Sequence, residues 1–422
     1  MKDATHMQLS PTVRTLPNGL TVVMEHLPYV HSVSVGVWIK TGSADESAAQ
    51  AGISHFLEHL FFKGTQTRTA RELMDAIESR GGHLNAFTTR EHTCLFAKTL
   101  NHHGRTAIAI LADIVKHSTF CDLEKERNVI LEEIASGKDT PDEYIYDLLS
   151  DQTWPGHPLG RPIAGYEETV ARTTLDDVRN YKDARYHPQN MYVAMVGNFD
   201  QDEFFAQISD EFGALTPQDV SNNGSAPSFN AGLRLESRPI AQNHFACAFP
   251  SVGIRDPERY VFDMLSSTLG GGSTSRLFET IREREGLTYA IYSFNSMYLH
   301  AGVLGMYAAV APENLQRTID LCVDEMHKLQ DAPMPEEELL SNREQLKGGL
   351  LLALEGTFNR MARMVRSLMI FDRIVPIDEI LAGVDAVTAE AVQKSAQKMF
   401  TQDRCALAVL GPSGDTPPNV AL

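Results

Sequence analysis

Long apolar runs are missing from this 422-residue sequence, and no stretch approaches the length that crosses a bilayer. The first 19 residues, MKDATHMQLSPTVRTLPNG, contain neither an apolar core nor a small-residue cleavage site. We therefore expect no secretory signal and a cytoplasmic location. The remaining composition, 43% hydrophobic and 22% charged, is typical of a globular protein.

Cysteine is scarce, and the five cysteines include no CxxC pair. An odd, dispersed set disfavours both a disulfide framework and a zinc site built from thiolates. We expect reduced thiols that pack as small buried hydrophobic side chains, at Cys94, Cys121, Cys247, Cys322 and Cys405.

Positive charge is also in deficit, since the formal net charge is −18. This balance disfavours nucleic acid and anionic membrane surfaces as partners. It would suit basic peptides if the acidic side chains line a cavity. Solvated surface acids explain the charge equally well, because the sequence does not place them.

A phosphate-binding loop is absent as well. Residues 270–273 read GGGS, but the GxxxxGK[ST] pattern is missing and no βαβ context follows. We interpret this stretch as a hinge or a loop that contacts substrate.

The length predicts more than one hydrophobic core, and hence two domains. Asn18-Gly19 is a type I′ hairpin signal, and the alternation in SVSVGVWIK (32–40) predicts a half-buried strand. Helical patterns cover residues 47–62, 69–80, 103–117 and 122–136, with strand character at 82–100 and 191–199.

A break in this pattern lies at residues 216–233, which are rich in Pro, Ser, Asn and Gly and predict a linker. Beyond it, LFETIREREGLTYAIYS resembles the earlier LMDAIESRGGHLNAFT. We therefore predict an α+β fold with two homologous domains, at residues 1–215 and 234–422.

HFLEH, residues 55–59, places two histidines one helical turn apart. His55, Glu58 and His59 share one helix face, and imidazole nitrogens at this spacing can converge on one zinc ion. Glu58 has the position of a general base for a metal-bound water. Chance would give about 0.04 such HxxEH matches in this composition. Satisfied structural histidines on an apolar helix remain the alternative.

A catalytic zinc needs a third protein ligand, and LEKERNVILEEIASGKD offers candidates. Glu126 and Glu133 are seven residues apart and share a helix face, which Val129 and Ile130 would press against the core. We predict Glu133 as the third ligand and Glu126 as a carboxylate that orients a ligand histidine. Glu124 and Glu132 point elsewhere. An amphipathic helix with surface acids is the alternative.

HxxEH is the inverzincin signature. The stretch HFLEHLFFKGT, with Glu133 in ERNVILEE, resembles pitrilysin-type metallopeptidases, most closely the mitochondrial processing peptidase β subunit and its bacterial homologues. The likeness includes RTLPNGLTVV, GGHLNAFTTREHT and YHPQNMYVAMVGNFD, and so spans nearly the whole chain.

This resemblance implies one zinc ion per chain on His55, His59 and Glu133, with Glu58 activating the water. It further implies that Phe62 borders a substrate pocket and that Asn85 and Ala86 lie on an edge strand. Such a strand can pair with extended substrate through main-chain hydrogen bonds.

In the second half, the resemblance assigns Arg282 and Tyr289 to the active site, where they would stabilise the oxyanion and anchor the substrate carbonyl. Phe278, one turn before Arg282, would pack against substrate. From their own pattern alone, Tyr289 is an ordinary strand residue and Arg282 a surface cation.

Single-chain relatives close a clam-shell chamber from two halves, and this chain resembles one half. The resemblance therefore implies a homodimer acting on unfolded or presequence-like peptides, or a heterodimer with a related subunit. Two other functions stay open: an inactive structural or peptide-binding subunit, and a zinc enzyme acting on a non-peptide amide.

Overall fold

The computed structural model describes residues 11–220 and 224–422. Within them lie eleven strands: β1 Thr12–Thr15, β2 Thr21–His26, β3 Ser32–Ile39, β4 His83–Thr88, β5 Thr93–Leu100, β6 Met191–Gly197, β7 Gly232–Ser237, β8 Asn243–Ser251, β9 Ala290–Met297, β10 Gly302–Val310 and β11 Ala406–Gly411. Three residues of the predicted linker, 221–223, and the first ten residues lie outside the described part.

The same residues form fourteen α-helices: α1 Ile53–Phe61, α2 Ala70–Glu78, α3 Gly104–His117, α4 Leu123–Lys138, α5 Pro141–Thr153, α6 Glu167–Arg172, α7 Leu175–Arg185, α8 Gln201–Phe212, α9 Arg259–Gly270, α10 Leu315–Asp331, α11 Glu336–Ala353, α12 Thr357–Phe371, α13 Ile377–Asp385 and α14 Ala389–Met399. A π-helix spans Phe278–Arg284. No described helix combines the length and apolarity that a membrane span requires.

The strands form two sheets with one shared topology. The first has the order β1-β2-β6-β3-β5-β4, and the second has β7-β11-β8-β10-β9. In both, one pair is parallel, β2 with β6 and β7 with β11. The first sheet without β1 therefore matches the second strand for strand, which confirms the predicted α+β fold with two homologous domains.

The hairpin at Asn18-Gly19 forms, but with a three-residue loop instead of the predicted two-residue turn. Leu16 N–H donates to Leu20 O at 2.9 Å and Gly19 N–H to Leu16 O at 2.9 Å. Gly19 has φ +91°, the left-handed conformation that closes this kind of loop.

By its contacts the chain divides into two compact units, each discontinuous in sequence. The first comprises Met1–Ile134, Pro162–Asn223 and Ala353–Ile374, and the second comprises the three remaining segments, Ala135–Arg161, Gly224–Leu352 and Val375–Leu422. These units depart from the predicted continuous domains because two helices are exchanged. α5, from the first half of the sequence, packs on the second sheet, and α12 packs on the first.

The exchange explains why β3 is not half-buried as predicted. Its inward face joins the core beneath α1, α3 and α7, and its other face is covered by α12. Trp38 on that outer face is 1% exposed and packs with Met361 and Met364 of α12. The hydroxyls of Ser34 and Thr357 hydrogen-bond at 2.9 Å, and Arg360 pairs with the buried Glu25 at 2.8 Å.

The cysteines are reduced, and four of the five are buried as predicted. Cys121 is exposed. It lies in the turn that precedes α4, and its thiol donates to Lys63 O at 2.8 Å. The prediction of a buried thiol is wrong at this position because the turn places Cys121 outside the core.

His92 is enclosed by aromatic rings beneath α12. Its ring centroid lies 5.4 Å from that of Trp38 and 5.9 Å from that of Phe87, and Nδ1 is 3.1 Å from the Thr89 hydroxyl. Burial, together with the charge of Arg366, lowers the pKa of His92 from its ordinary 6.5 to about 4. The folded protein therefore holds this imidazole neutral at pH 5, where an unfolded chain would protonate it.

This difference predicts acid-sensitive stability. The pKa of His92 is lower in the folded state, so protonation favours the unfolded state. The free energy of unfolding therefore has its full value, as far as His92 is concerned, above pH 6.5, and it decreases as the pH falls toward 4. The unfolding free energy of the wild type should fall by about 2 kcal/mol more between pH 7 and pH 5 than that of His92→Gln. Urea denaturation at both pH values measures this, with the exposed His102→Gln as the control. Equal pH dependence in His92→Gln and wild type would contradict the prediction.

Candidate metal centre

Helix α1 begins at Ile53, six residues later than the pattern predicts. Residues 48–50 form a short 3-10 turn, and Gly52 has φ +93°. A Cβ at Gly52 would lie 2.4 Å from Ala164 O, so no other residue fits this entry to the helix.

The buried carboxylate of Glu46 caps the start of α1. Its Oε2 accepts from Gly52 N–H at 2.7 Å and its Oε1 from Ser54 N–H at 2.8 Å. The free N–H groups of a helix N-terminus favour a negative charge, so this contact fixes the first turn. The Ser54 hydroxyl, 2.8 Å from that of Tyr181, ties the same turn to α7.

Three side chains converge beside α1. His55 Nε2 lies 3.5 Å from Glu133 Oε1, and His59 Nε2 lies 3.5 Å from Glu133 Oε2. One ligand atom from each of the three residues lies within 4.8 Å of the other two. The structure thus brings together the three residues that the sequence predicts as ligands.

Glu133 is not the buried carboxylate that the sequence predicts. Its side chain is 51% exposed, while Glu126 on the same helix is 2% exposed. Val129 is also exposed, at 44%, whereas Ile130 is fully buried. The helix is rotated so that Glu126, Ile130 and Ile134 face the core, and Glu133 lies at the boundary between His55 and solvent. Glu124 and Glu132 are exposed, as predicted.

Glu126 lies behind His59. Its Oε2 is 3.4 Å from His59 Nδ1, and its Oε1 is 2.9 Å from Lys63 Nζ. A carboxylate at Nδ1 directs the lone pair of Nε2 toward Glu133, which is the role of an outer carboxylate on a metal-binding histidine. His55 Nδ1, in contrast, is buried without a hydrogen-bond partner among the described residues.

Burial and neighbouring charges shift the pKa values of His55, His59 and Glu133. Burial lowers the pKa of His55 despite the nearby Glu133. Burial alone would also lower the pKa of His59, but Glu133 and Glu126 hydrogen-bond to it and raise the pKa above its ordinary value. The hydrogen bond from His59 holds the pKa of Glu133 low. The carboxylates therefore attract positive charge to the space between the two imidazoles.

Glu58 lies on the same helix face, between the two histidines in sequence. Burial raises the pKa of its carboxyl group, and Thr88 and His59 oppose this rise. Its Oε2 is buried with no hydrogen-bond partner in the described part of the chain. An acceptor oxygen left open at this position is available to a water or substrate proton.

The donor set fits a zinc ion. Two imidazole nitrogens and one carboxylate oxygen form one of the common ligand sets of catalytic zinc, and three protein ligands leave a further position for water or substrate. Because Glu133 is half exposed, solvent reaches this side of the donor set.

Three of the predicted substrate-contacting residues lie at the end of α1 or on the strand β4 next to it. Phe62 is the C-cap of α1 and packs against the first core. Asn85 is exposed and Ala86 is 7% exposed on β4. β4 pairs only with β5 in the described sheet and is therefore an edge strand, next to α1.

Phe278, Arg282 and Tyr289 form a cluster within the second unit. The guanidinium of Arg282 lies 4.6 Å from the Phe278 ring centroid and 5.8 Å from that of Tyr289. Arg282 also donates to Tyr289 O at 2.6 Å. Tyr289 directly precedes β9 and is 88% exposed, an unusual exposure for a large aromatic side chain.

Three residues of the centre were not predicted from the sequence. Glu46 lies in a polar stretch before α1, Lys63 follows that helix, and Thr88 ends β4. A glutamate six residues before a Gly-initiated helix was a usable capping signal. The partners of Lys63 and Thr88 come from distant parts of the chain, and no local pattern identifies them.

A short helix with two histidines one turn apart and a glutamate directly before the second histidine defines the inverzincin class of metal centre. Comparison with known families agrees with this class. Residues 21–167 match the family described as Insulinase (Peptidase family M16), and residues 172–346 match Peptidase M16 inactive domain. The chain therefore belongs to peptidase family M16. The predicted family is confirmed, and the closer likeness to the processing peptidase β subunit stays a prediction.

Similar proteins cover nearly the full chain. Uncharacterized zinc protease YmxG of Bacillus subtilis is 38% identical over 96% of this chain and 98% of its own length. Uncharacterized zinc protease Rv2782c of Mycobacterium tuberculosis is 38% identical over 96% and 94%. A protease from Helicobacter pylori has the same fold, with a TM-score of 0.88 at 22% identity over 96% of this chain and 99% of its own.

Among the described residues, the three-ligand cluster lies in the first unit, and the corresponding helix of the second unit lacks the two histidines. In the second unit, α9 follows β8 as α1 follows β3 in the first. The sequence of α9, RYVFDMLSSTLG, contains no histidine and only one acidic residue. A zinc site at this position of the second unit is thereby excluded.

Glu126→Gln should weaken zinc binding about 10- to 100-fold, because the orienting carboxylate on His59 is lost. Chelator competition at neutral pH measures the affinity. Glu132→Gln, an exposed glutamate on the same helix, is the control and should bind zinc like the wild type. A Glu126→Gln protein that binds zinc as tightly as the wild type would contradict the orienting role of this carboxylate.

Proposed function

We propose that the chain is a zinc-dependent endopeptidase that hydrolyses unfolded or presequence-like peptides within a dimeric chamber. The observation that carries this proposal is the convergence of His55, His59 and Glu133 beside the open carboxylate oxygen of Glu58. Family membership and relatives named as zinc proteases support it.

In this proposal, His55 Nε2, His59 Nε2 and Glu133 hold one zinc ion per chain. The bound ion supplies Lewis-acid polarisation of a water molecule and of the scissile carbonyl. Glu126 keeps His59 in the tautomer with Nε2 free for the metal. Cobalt or manganese could also occupy such a donor set.

Glu58 is the general base of the proposed reaction. Its unpartnered Oε2 accepts the proton of the attacking water and then passes it to the leaving amine. Tyr289 and Arg282 would stabilise the oxyanion and anchor the substrate carbonyl. Both residues carry exposed polar groups, and the stacking on Phe278 orders the guanidinium.

Extended substrate would add to β4 as a further strand. The outer edge of β4 has no strand partner in the described sheet, so its main-chain groups can hydrogen-bond to many sequences. Asn85 and Ala86 would lie along the bound peptide, and Phe62 would border the pocket beside the scissile bond. Main-chain recognition requires an unfolded substrate.

The proposed assembly is a homodimer, since one chain carries both the HxxEH set and the Arg282–Tyr289 pair. A heterodimer with a related subunit is the alternative assembly. The net charge of −18 suits basic segments as substrates. A cytoplasmic location is part of this proposal.

The proposed function is tested by metal analysis of the purified protein together with cleavage of an unstructured basic peptide. One zinc per chain and cleavage that a chelator stops would support it. Metal-free protein that neither binds added zinc nor cleaves peptide would instead favour a structural or peptide-binding subunit. Bound zinc without peptide cleavage would favour chemistry on a non-peptide amide.

Glu58→Gln should retain zinc and lose at least about 100-fold in kcat, since a general base contributes roughly 10²- to 10⁴-fold. Metal content and peptide cleavage are measured on the same preparation. Glu78→Gln, an exposed glutamate at the end of α2, is the matched control and should match the wild type. A Glu58→Gln protein with full turnover would refute the assigned base.

Mixing two inactive variants tests the dimer and the role of Tyr289 together. Glu58→Gln and Tyr289→Phe should each have low activity alone. If each active site combines HxxEH from one chain with Tyr289 from the other, a mixed dimer contains one intact site. Equal mixing with free subunit exchange should then restore about a quarter of wild-type activity. No recovery after confirmed exchange would contradict a shared site.

A further inference from the structure

Lys63 lies two residues after the end of α1, and hydrogen bonds hold its backbone. Its N–H donates to Leu60 O at 3.2 Å, and its carbonyl oxygen accepts from the Cys121 thiol at 2.8 Å. Gly64 follows with φ +119°. The helix end, the turn before α4 and the left-handed glycine therefore set the direction in which the Lys63 side chain leaves the backbone.

The Lys63 ammonium group lies against a carboxylate that solvent does not reach. Nζ is 2.9 Å from Glu126 Oε1, and the Glu126 side chain is only 2% exposed. A buried carboxylate is costly unless a positive charge or hydrogen bonds compensate it. Lys63 is the cation in contact with Glu126 among the described residues, apart from the imidazole of His59.

The two oxygens of Glu126 have separate partners. With Oε1 on Lys63, Oε2 is turned toward His59 Nδ1 at 3.4 Å, and His59 Nε2 faces Glu133. The contacts form a chain that runs Lys63, Glu126, His59, Glu133. Of its four members, His59 lies on α1 and Lys63 lies just after that helix, while Glu126 and Glu133 both lie on α4.

We propose that Lys63 is a positioning residue for the metal centre, acting through Glu126 to fix the ring orientation and tautomer of His59. It does not touch the metal or the substrate. The proposal rests on the zinc site of the proposed function and extends the centre by one residue. In this proposal a lysine just beyond the end of α1 orients a ligand histidine of the same helix.

The test is a double-mutant cycle on zinc affinity, measured by chelator competition with Zn²⁺ and, separately, Co²⁺. Lys63→Met should weaken binding about 10-fold or more, in the range of lost outer contacts to a ligand histidine. In a Glu126→Gln background, Lys63→Met should weaken zinc binding almost no further, because Lys63 can no longer act on His59 through the Glu126 carboxylate. Lys63→Arg should recover most of the affinity.

Controls separate this role from general stability. Lys125→Met removes an exposed lysine beside Glu126 and should bind zinc like the wild type. The nitrogen NMR shifts of His59 in metal-free protein report its tautomer, and Lys63→Met should change them. If Lys63→Met does not fold, Lys63→Gln, which keeps a donor on Glu126 without the charge, takes its place in the cycle.

Each outcome is decisive. A wild type that binds no zinc contradicts the proposed function. A wild type that binds zinc, with equal loss from Lys63→Met in both Glu126 backgrounds, contradicts only the role of Lys63 through Glu126. Unchanged affinity and an unchanged His59 tautomer in Lys63→Met would do the same.

Discussion

Two buried carboxylates, one at each end of a nine-residue helix, are the constraint on which the metal centre depends. A helix as short as α1 has little stability of its own, and its tertiary contacts must hold it. Glu46 binds the N–H groups of its first turn, and Glu126 contacts His59 and Lys63 at the other end. Between them, Phe56, Leu57 and Leu60 are fully buried. The ligand histidines are therefore presented by a backbone with little freedom to move.

The sequence predicted those features that depend on local periodicity or on spacing within one helix. HxxEH placed His55, Glu58 and His59 on one face, and the structure brings Glu126 and Glu133 next to the two histidines. The burial of Glu133 was predicted wrongly, because a seven-residue spacing defines a shared face but not the rotation of that face toward the core. The actual rotation buries Glu126 and leaves Glu133 half exposed.

Local sequence patterns could not predict the features that depend on contacts between distant segments of the chain. The alternation in β3 correctly predicted one buried face, but its second face is covered by α12, more than 300 residues later in the chain. The apolar residues of α12 predict that this helix packs against another element. They do not identify which of the two sheets it covers. The duplication was visible in two short stretches, and the matching strand orders of the two sheets, apart from the additional β1, establish it.

The exchange of α5 and α12 has a consequence for how the protein is made. As the ribosome completes the first sheet at β6, near residue 197, the outer face of that sheet still lacks its cover, which ends at Phe371. More than 150 further residues must be synthesised before Trp38 and its neighbours are enclosed. During this interval an apolar sheet face is open to other chains, and a nascent-chain chaperone would have its longest opportunity to act there. Because α12 is exchanged, the unit that contains His55, His59 and Glu133 cannot complete its packing until nearly the whole chain has been translated.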